Sequence, residues 1–281
     1  MRKHLHWLLC VLVLSACQKE TEQRPDGREP VTSLNVAYGT DPLQKLDLYL
    51  PANRSLDTTK VIILIHGGAW AEGDKTDFDS FVPELKQRLP GYAIFNLNYR
   101  LYANGVNRFP AQEEDIKAAV NFIFSKRNEY YISDKFVLLG ASAGAHLALL
   151  QGNKYNTPLK PKAIVSFFGP AELVSLYNTS QLAALGLPQI TGGTPDTAPE
   201  IYASSSPANY ITANSPPTIL LQGGLDPLVP PAQSELLKNL LQTAGVTNEY
   251  VFYPLEGHGW TGTNLQDSFN KIRDFLKANV Q

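Results

Sequence analysis

Cysteine is nearly absent from this chain: only Cys10 and Cys17 occur among its 281 residues, and both lie near the N-terminus. This excludes a disulfide scaffold, a thiolate-ligated metal site and a cysteine hydrolase. A basic excess is also missing, since 24 Lys and Arg are set against 26 Asp and Glu. The balance excludes the usual charge signature of a nucleic-acid-binding protein. The longest apolar run, near the N-terminus, is shorter than the roughly 20 residues that span a bilayer.

The N-terminal segment has the layout of a secretory signal peptide. Residues 1–17 begin with basic residues, continue as an apolar stretch and end in small residues before Cys17. The run Leu-Ser-Ala-Cys at 14–17 resembles the lipobox of bacterial lipoproteins, and this resemblance implies lipid attachment at Cys17. We therefore expect secretion across the inner membrane and anchoring to a cell-envelope membrane. The outer membrane is favoured because Gln18, not Asp, follows the cysteine. An ordinary signal peptide with a chance cysteine is the alternative.

Buried strands alternate with amphipathic helices along the rest of the chain. VTSLNVAYG and KLDLYLP predict an opening antiparallel hairpin. Six later segments are apolar and β-branched, as fully buried strands are: VIILIHGG, YAIFNLNYR, KFVLLG, KAIVSFFG, TILLQGG and EYVFYP. Apolar residues at helical spacing predict helices over 77–88, 111–125, 231–244 and 264–279. The pattern indicates an α/β fold with a mostly parallel central sheet, which binds ligands at the carboxyl ends of its strands.

Three segments define the predicted organisation. Residues 18–30 are polar, contain Pro and Gly and lack an apolar period, so we expect a flexible tether. Residues 31–281 form the folded domain, since the hydrophobic content of 43% supplies a sizeable core. Within it, residues 170–215 are rich in Pro, Ser, Thr and Gly with only short apolar helical pieces. We interpret this stretch as a small lid inserted over the strand ends.

A candidate nucleophile follows the strand KFVLLG. Gly140-Ala141-Ser142-Ala143-Gly144 leads directly from that strand into a helical run. In such a setting G-x-S-x-G predicts a nucleophile elbow, a tight turn that needs glycine where side chains find no room. Ser142 would then stand at a helix N-terminus, where free N–H groups favour developing negative charge.

A candidate oxyanion hole follows another predicted strand, at His66-Gly67-Gly68-Ala69-Trp70. A glycine-rich turn lets successive backbone N–H groups point at one oxygen, as an oxyanion hole requires. We expect the N–H groups of Gly67 and Gly68 to form the hole with that of Ala143, the residue after the nucleophile. A plain glycine turn at a strand end is the alternative.

Elimination among five histidines indicates the general base. Two lie in the signal segment, and His66 belongs to the oxyanion strand end. His146 follows Ser142 by four residues on the elbow helix, and we expect it to pack beneath the edge of the sheet. His258 remains, between glycines in a loop before the last helix, where it can reach Ser142.

The chain order Ser, Asp, His predicts an orienting acid between nucleophile and base. Asp226 follows the strand TILLQGG by a short turn and precedes a helix. Asp196 and Glu200 satisfy the order but lie inside the lid, and Glu256 is too close to His258 in sequence. Asp226 is therefore the predicted acid.

These motifs together resemble α/β-hydrolases of the carboxylesterase group with an HGGxW oxyanion motif. The hormone-sensitive-lipase-like esterases and the feruloyl and acetyl esterases called BD-FAE are similar over residues 34–279. LDLYLP, HGGAW, NYRL, GASAG, LDPLVP and EGHGW occur there in family order. Ala69 departs from the third glycine common in the lipase-like branch. The resemblance implies that Asp74, Arg100 and Asp115 hold the oxyanion loop and the base of the lid.

The residues and the resemblance predict a lipid-anchored serine esterase without metal or organic cofactor. Its substrate would be a small-molecule or glycan ester with a short acyl chain, such as an acetyl or feruloyl ester of plant polysaccharide. Ser142 would attack, with His258 as base and Asp226 as orienting acid. Trp70 and Trp260 flank the site in sequence and either line the substrate pocket or pack in the core. A serine peptidase, an arylformamidase and a non-catalytic binding protein are the alternatives.

Overall fold

The structure is a computed structural model and describes residues 27–281. The predicted signal peptide, Cys17 and most of the predicted tether lie outside these residues. Among the described residues, no helix combines the length and the apolarity needed to cross a membrane. They contain an eight-stranded sheet. Its strands are β1 (Val31–Ala37), β2 (Lys45–Leu50), β3 (Lys60–Ile65), β4 (Tyr92–Leu97), β5 (Phe136–Ala141), β6 (Ala163–Phe167), β7 (Thr218–Gly223) and β8 (Asn248–Tyr253).

The sheet is antiparallel at one edge and parallel elsewhere. Its strand order is β1-β2-β4-β3-β5-β6-β7-β8; β2 runs antiparallel to β1 and β4, and the remaining pairs are parallel. The predicted hairpin and mostly parallel sheet are therefore confirmed. Ile65 at the end of β3 lies opposite Gly140 of β5, and Ala141 lies opposite Phe167 of β6. The loops that follow these strands consequently meet at one edge of the sheet.

Residues 27–281 contain nine α-helices, which include the four predicted over explicit ranges, with one correction. They are α1 (Phe81–Arg88), α2 (Ala111–Ser125), α3 (Arg127–Tyr130), α4 (Ala143–Lys154), α5 (Leu173–Thr179), α6 (Gln181–Thr191), α7 (Pro199–Ser204), α8 (Ala232–Thr243) and α9 (Gly262–Asn279). The helix predicted over 77–88 is wrong in its first part, because Lys75–Phe78 forms a separate 3-10 turn. Pro83 explains the difference. It lies in the first turn of α1, whereas in a helix begun at residue 77 its missing N–H would leave the carbonyl of Asp79 without a donor.

Side chains of the sheet alternate between two hydrophobic layers. In β3, Ile63 and Ile65 face one layer while Ile62 and Leu64 face the other, and all four are fully buried. Helices α2, α4 and α8 cover the first layer, and α1 and α9 cover the second. Burial on both faces explains why these strands read as continuous apolar runs.

Residues 170–215, called the lid segment here after the lid predicted from the sequence, form α5, α6 and α7 between β6 and β7. Gln233 of α8 holds the start of this segment, since its Oε1 accepts a hydrogen bond of 2.9 Å from the N–H of Ala171. On α6, Leu187 is buried whereas Leu182 is 61% exposed. The helix therefore presents one apolar side to the protein and another to solvent.

Candidate active site

Ser142 occupies a strained turn between β5 and α4. Its φ of 53° and ψ of −121° lie where residues other than glycine are rare. A Cβ on Gly144 would lie only 1.9 Å from the carbonyl oxygen of Ile65, so the glycine lets α4 approach β3. The Ser142 N–H donates to the carbonyl of Phe167 at 2.9 Å. The turn thus lifts the serine above the strand ends, as the elbow pattern predicts.

The structure brings Ser142, His258 and Asp226 together from loops that follow three different strands. Ser142 Oγ lies 2.9 Å from His258 Nε2, and His258 Nδ1 lies 2.7 Å from Asp226 Oδ2. An ionised carboxylate only accepts hydrogen bonds, so the proton of the neutral imidazole is on Nδ1. Nε2 is then free to accept the serine proton. The arrangement is competent for nucleophilic attack with general-base assistance.

The Asp226 carboxylate is fully buried and surrounded by donors. Its Oδ1 accepts hydrogen bonds of 2.9 Å from the N–H groups of Leu228 and Val229. Its Oδ2 accepts one of 3.3 Å from Gln222 Nε2 besides the bond from His258. Sequence reasoning missed Gln222, although a glutamine inside an otherwise apolar strand is a signal that can be read. Its side chain joins the end of β7 to the loop that carries Asp226, Leu228 and Val229, which is called the acid loop.

The other carboxylates considered from sequence do not meet the histidine. Asp196 is exposed between α6 and α7, and Glu200 is exposed in the first turn of α7. Glu256 accepts a hydrogen bond of 2.6 Å from Asn264 Nδ2 instead. Asp226 is thus the acid that contacts His258 among the described residues.

Tyr99 binds one side of residues 66–70, the loop predicted to form the oxyanion hole and called the oxyanion loop. The Tyr99 hydroxyl donates to the carbonyls of His66 and Gly67 at 2.9 and 3.2 Å. The His66 ring stacks on the Tyr99 ring, with the two ring centroids 4.4 Å apart. Because C=O and N–H of a trans peptide point in opposite directions, the N–H groups of Gly67 and Gly68 face away from Tyr99. Both residues line a cavity together with Ala143. Sequence reasoning gave Tyr99 no role.

Gly68 shows why this loop needs a glycine. Its φ is +100°, and a Cβ there would lie 2.1 Å from the carbonyl oxygen of Glu72. Ala69 and Trp70 follow with positive φ of 49° and 61°. Burial lowers the pKa of His66, which therefore stays neutral, and its Nδ1 donates to Gly67.

Asp74, Arg100 and Asp115 support the neighbouring loops by hydrogen bonds and ion pairs. Asp74 accepts a bond of 2.7 Å from Asn98 Nδ2. Burial acts to raise the Asp74 pKa, but hydrogen bonds from Thr76 and Asn98 outweigh it, and the pKa lies below its usual value. Arg100 binds Asp115 through Nε and Nη2, with a shortest distance of 2.6 Å. The Arg100–Asp115 pair joins the loop after β4 to α2, which agrees with the supporting role that the family resemblance implies.

Two cavities lie near the serine, and Ser142 itself lines one of them. The larger, of about 560 Å³, has Ser142, His258 and Trp70 in its wall. Its apolar lining comes largely from the lid segment and the acid loop and includes Leu176, Leu182, Leu187, Ile190, Leu228 and Val229. The smaller, of about 210 Å³, is bordered by Trp260. Of the two tryptophans predicted for the pocket, Trp70 thus lines the larger cavity and Trp260 only the smaller. No cluster of three or more potential metal ligands occurs in residues 27–281.

Comparison with known proteins identifies the family. Residues 46–241, more than half of the chain, match BD-FAE. The chain belongs to the BD-FAE family. This confirms the resemblance indicated by the motifs. The BD-FAE match includes the oxyanion loop, the elbow and Asp226, but it ends before His258, which the geometry alone brings to the site.

This BD-FAE member is similar in sequence to a curated esterase and in fold to two solved structures. Esterase LipC of Mycobacterium tuberculosis is 24% identical over 83% of this chain and 61% of its own length. The bifunctional GH43-CE protein of Bacteroides eggerthii has a TM-score of 0.77 and 26% identity, covering 89% of this chain and 38% of that one. A truncated carbohydrate esterase from gut microbiota has a TM-score of 0.76 and 24% identity, covering 89% and 96%. The chain spans about half to three-fifths of the length of the first curated relatives that it matches.

His146 does not pack beneath the sheet edge, so that expectation is wrong. Its Nε2 donates to the carbonyl of Ser205 in the lid segment at 2.7 Å, and its ring contacts Trp70 edge-on with centroids 5.0 Å apart. The ring is fully buried, and burial lowers the pKa of His146 to about 4. His146 therefore joins the elbow helix to the lid segment as a neutral residue.

The buried His146 should make the fold sensitive to acid. Since its pKa is about 4 in the folded protein and about 6.5 in an unfolded chain, the unfolded state binds the extra proton as pH falls through this interval. The free energy of unfolding should lose about 3 kcal/mol from this residue between pH 6.5 and pH 4. Urea titrations at pH 7.5 and 4.5 measure the loss.

His146→Gln is the matched variant, because glutamine keeps a donor for Ser205 and does not titrate. The acid-induced loss should be smaller in this variant than in the wild type, with carboxylates contributing equally to both. An equal loss in the two proteins would show that the pKa of His146 does not differ between the folded and the unfolded protein.

Proposed function

We propose that this protein is a serine carboxylesterase. The observation that carries the proposal is the hydrogen-bonded chain from Ser142 through His258 to Asp226, set at the wall of an apolar cavity. Ser142 attacks the ester carbonyl while His258 takes its proton and returns it to the leaving alcohol. Water then attacks the acyl-enzyme: His258 takes a proton from the water and returns it to Ser142 Oγ as the carboxylic acid leaves. Asp226 keeps the imidazole in the required tautomer and stabilises the imidazolium.

The oxyanion of the tetrahedral intermediate is held by backbone N–H groups. Those of Gly67 and Gly68 face away from the tyrosine behind the loop, and that of Ala143 begins α4, where helix N–H groups have no partner in the helix. These donors are fixed before substrate binds, so stabilising the oxyanion costs little reorganisation.

The names of the relatives support an ester of a carbohydrate as substrate. One curated relative is an esterase, and one structural neighbour is a carbohydrate esterase. A glycan ester with a short acyl group, such as an acetyl or feruloyl ester of plant polysaccharide, fits this set. The larger cavity, at about 560 Å³, is in the range that binds small organic molecules.

Acyl-chain length tests the proposal. On p-nitrophenyl esters from acetate to decanoate we expect kcat/KM to be highest from acetyl to butyryl and to fall by octanoyl. Trp70, Leu187 and Ile190 are buried and close one part of the cavity, and each methylene without room there forfeits up to about 0.8 kcal/mol of burial. Emulsified triglyceride should give no jump in rate.

A peptide anilide is assayed beside these esters, and each contrary result would indicate a different function. Activity that rises from butyrate to decanoate would indicate a lipase with an open lid. Turnover of a peptide anilide in preference to esters would indicate a peptidase. Binding of esters without any turnover would indicate a non-catalytic protein on this fold.

We also propose that the mature chain is lipid-anchored through Cys17, a residue outside the described part of the chain. The lipobox-like sequence before it and the polar segment after it support this. One lipid-bearing residue with a tether would hold the enzyme at a cell-envelope membrane without spanning it.

Cys17→Ala should move the protein out of the membrane fraction and leave its esterase activity unchanged, since the substituted residue is remote in sequence from the site residues. Metabolic labelling with a palmitate analogue should mark the wild type and not Cys17→Ala. Cys10→Ala is the control and should still be labelled. An unlabelled wild-type protein, exported in soluble form, would support simple secretion.

A further inference from the structure

The smaller cavity has a wall of aromatic rings. It is lined by Phe78, Phe81, Phe167, Phe168 and Trp260. The rings contact one another in a continuous cluster, with successive centroids 4.8 to 5.9 Å apart. The cavity of about 210 Å³ accommodates a group of a few heavy atoms. Such a volume suits the small half of an ester.

Asp77 is the one charged residue that lines this cavity. Its Oδ2 accepts a hydrogen bond of 3.2 Å from the N–H of Asp74, and within residues 27–281 it pairs with no Lys or Arg. The nearest lysine in sequence, Lys75, is bound to Asp47 at 2.9 Å. No Lys or Arg lines either cavity. The carboxylate therefore has no protein counter-charge in the cavity.

The smaller cavity is adjacent to the reacting serine. It shares Gly67, Ala141 and Phe168 with the larger cavity, and Ala141 directly precedes Ser142. The Phe168 ring also contacts the ring of His258, with centroids 4.5 Å apart. An ester bound at Ser142 can thus extend one half into each cavity.

We infer that the smaller cavity is a subsite for a cationic group, of the alkylammonium type, on the small half of an ester substrate. Aromatic faces attract such cations through the negative potential of the ring, and a neighbouring carboxylate adds a direct charge interaction. The inference rests on the proposed esterase function and adds a substrate class to it. Asp77 is the residue that determines this specificity.

Two other acidic residues near Asp77 add negative charge to this part of the protein. Glu72 lines the larger cavity, and Asp79 is exposed two residues beyond Asp77. Anionic esters should therefore be disfavoured at both cavities. Attraction of cations to this loop should weaken as salt screens it, because exposed charges lose their reach above about 0.1 M ionic strength.

Pairs of esters that differ only in charge test the subsite. On the alcohol side, butyrylcholine is compared with 3,3-dimethylbutyl butyrate, in which carbon replaces the ammonium nitrogen. On the acyl side, ethyl 4-(trimethylammonio)butanoate is compared with ethyl 5,5-dimethylhexanoate. In at least one pair we expect kcat/KM to favour the cation on the order of tenfold at low salt.

Asp77→Asn isolates the carboxylate. Asparagine keeps an oxygen that can accept the hydrogen bond from Asp74, so the 3-10 turn is retained. The ratio of cationic to neutral kcat/KM should fall several-fold, and comparing ratios cancels the intrinsic reactivities of the esters. Asp79→Asn removes an equal charge from the same loop without touching a cavity, and should keep the wild-type ratio.

Two results would overturn the subsite. One is a wild-type ratio near unity in both pairs. The other is a ratio that Asp77→Asn leaves unchanged, or that Asp79→Asn lowers as much, which would assign the preference to general surface charge.

A binding measurement separates the subsite from the proposed function. Tetramethylammonium chloride is titrated by NMR onto Ser142→Ala protein, with sodium chloride as the control for ionic strength. Saturable broadening of the tetramethylammonium resonance supports the subsite if Asp77→Asn abolishes it, even when no ester is turned over. Equal response with and without Asp77 counts against it, whatever the esterase assays give.

Discussion

Ser142→Ala is expected to lower kcat on ester substrates by a factor on the order of 10⁶ while the protein stays folded. The hydroxyl is the nucleophile of the proposed reaction, and its Oγ makes the contact of 2.9 Å with His258 Nε2. Without it the His258 imidazole has no serine proton to take, and no nucleophile is left to form the acyl-enzyme. The strained backbone of the turn is retained, because alanine adopts φ of 53° at no greater cost than serine.

A fluorophosphonate probe measures the same point directly. It should label the wild type at Ser142 and leave Ser142→Ala unlabelled. Ser125→Ala, at an exposed serine on α2, is the matched control and should be labelled like the wild type. Equal labelling of Ser142→Ala would reveal a different nucleophile, and circular dichroism spectra of the three proteins would exclude misfolding as the cause of any loss.

The elbow and the oxyanion loop could be predicted from the sequence because each motif lies within a few consecutive residues. The elbow needs small residues around Ser142, and the oxyanion loop needs glycine at Gly68, where φ is positive. Both follow apolar β-branched strands, so their positions at strand ends could be predicted. His258 could be chosen because few histidines compete with it.

The contacts that fix the site were not readable, because they join distant parts of the chain. Tyr99 holds the carbonyl of His66 from 33 residues away, and His146 reaches Ser205 across 59. No periodicity within one segment indicates such a partner. The smaller cavity is another case, since Phe81, Phe168 and Trp260 come from three separate elements. Its existence depends on how those elements pack.

Asp226→Asn should lower kcat by about 10⁴ without unfolding the protein. The carboxylate accepts hydrogen bonds from His258, Gln222 and the backbone N–H groups of Leu228 and Val229. Asparagine can offer only one oxygen, and the two backbone donors favour it at Oδ1. Its amide then donates to His258 Nδ1, which forces the proton onto Nε2. In that tautomer the imidazole can no longer accept the proton of the serine.

The control for this change is Asp196→Asn, because Asp196 satisfies the same sequence order but is exposed in the lid segment, and His258 bonds to Asp226 and Ser142 instead. It should retain wild-type kcat on p-nitrophenyl butyrate. Proton NMR of the Nδ1–H of His258 gives a readout besides rate: its downfield resonance should be lost in Asp226→Asn and kept in the control. If Asp226→Asn instead kept most of its activity, the acid would have to be another carboxylate, and the bond of 2.7 Å to His258 would serve only to position the loop.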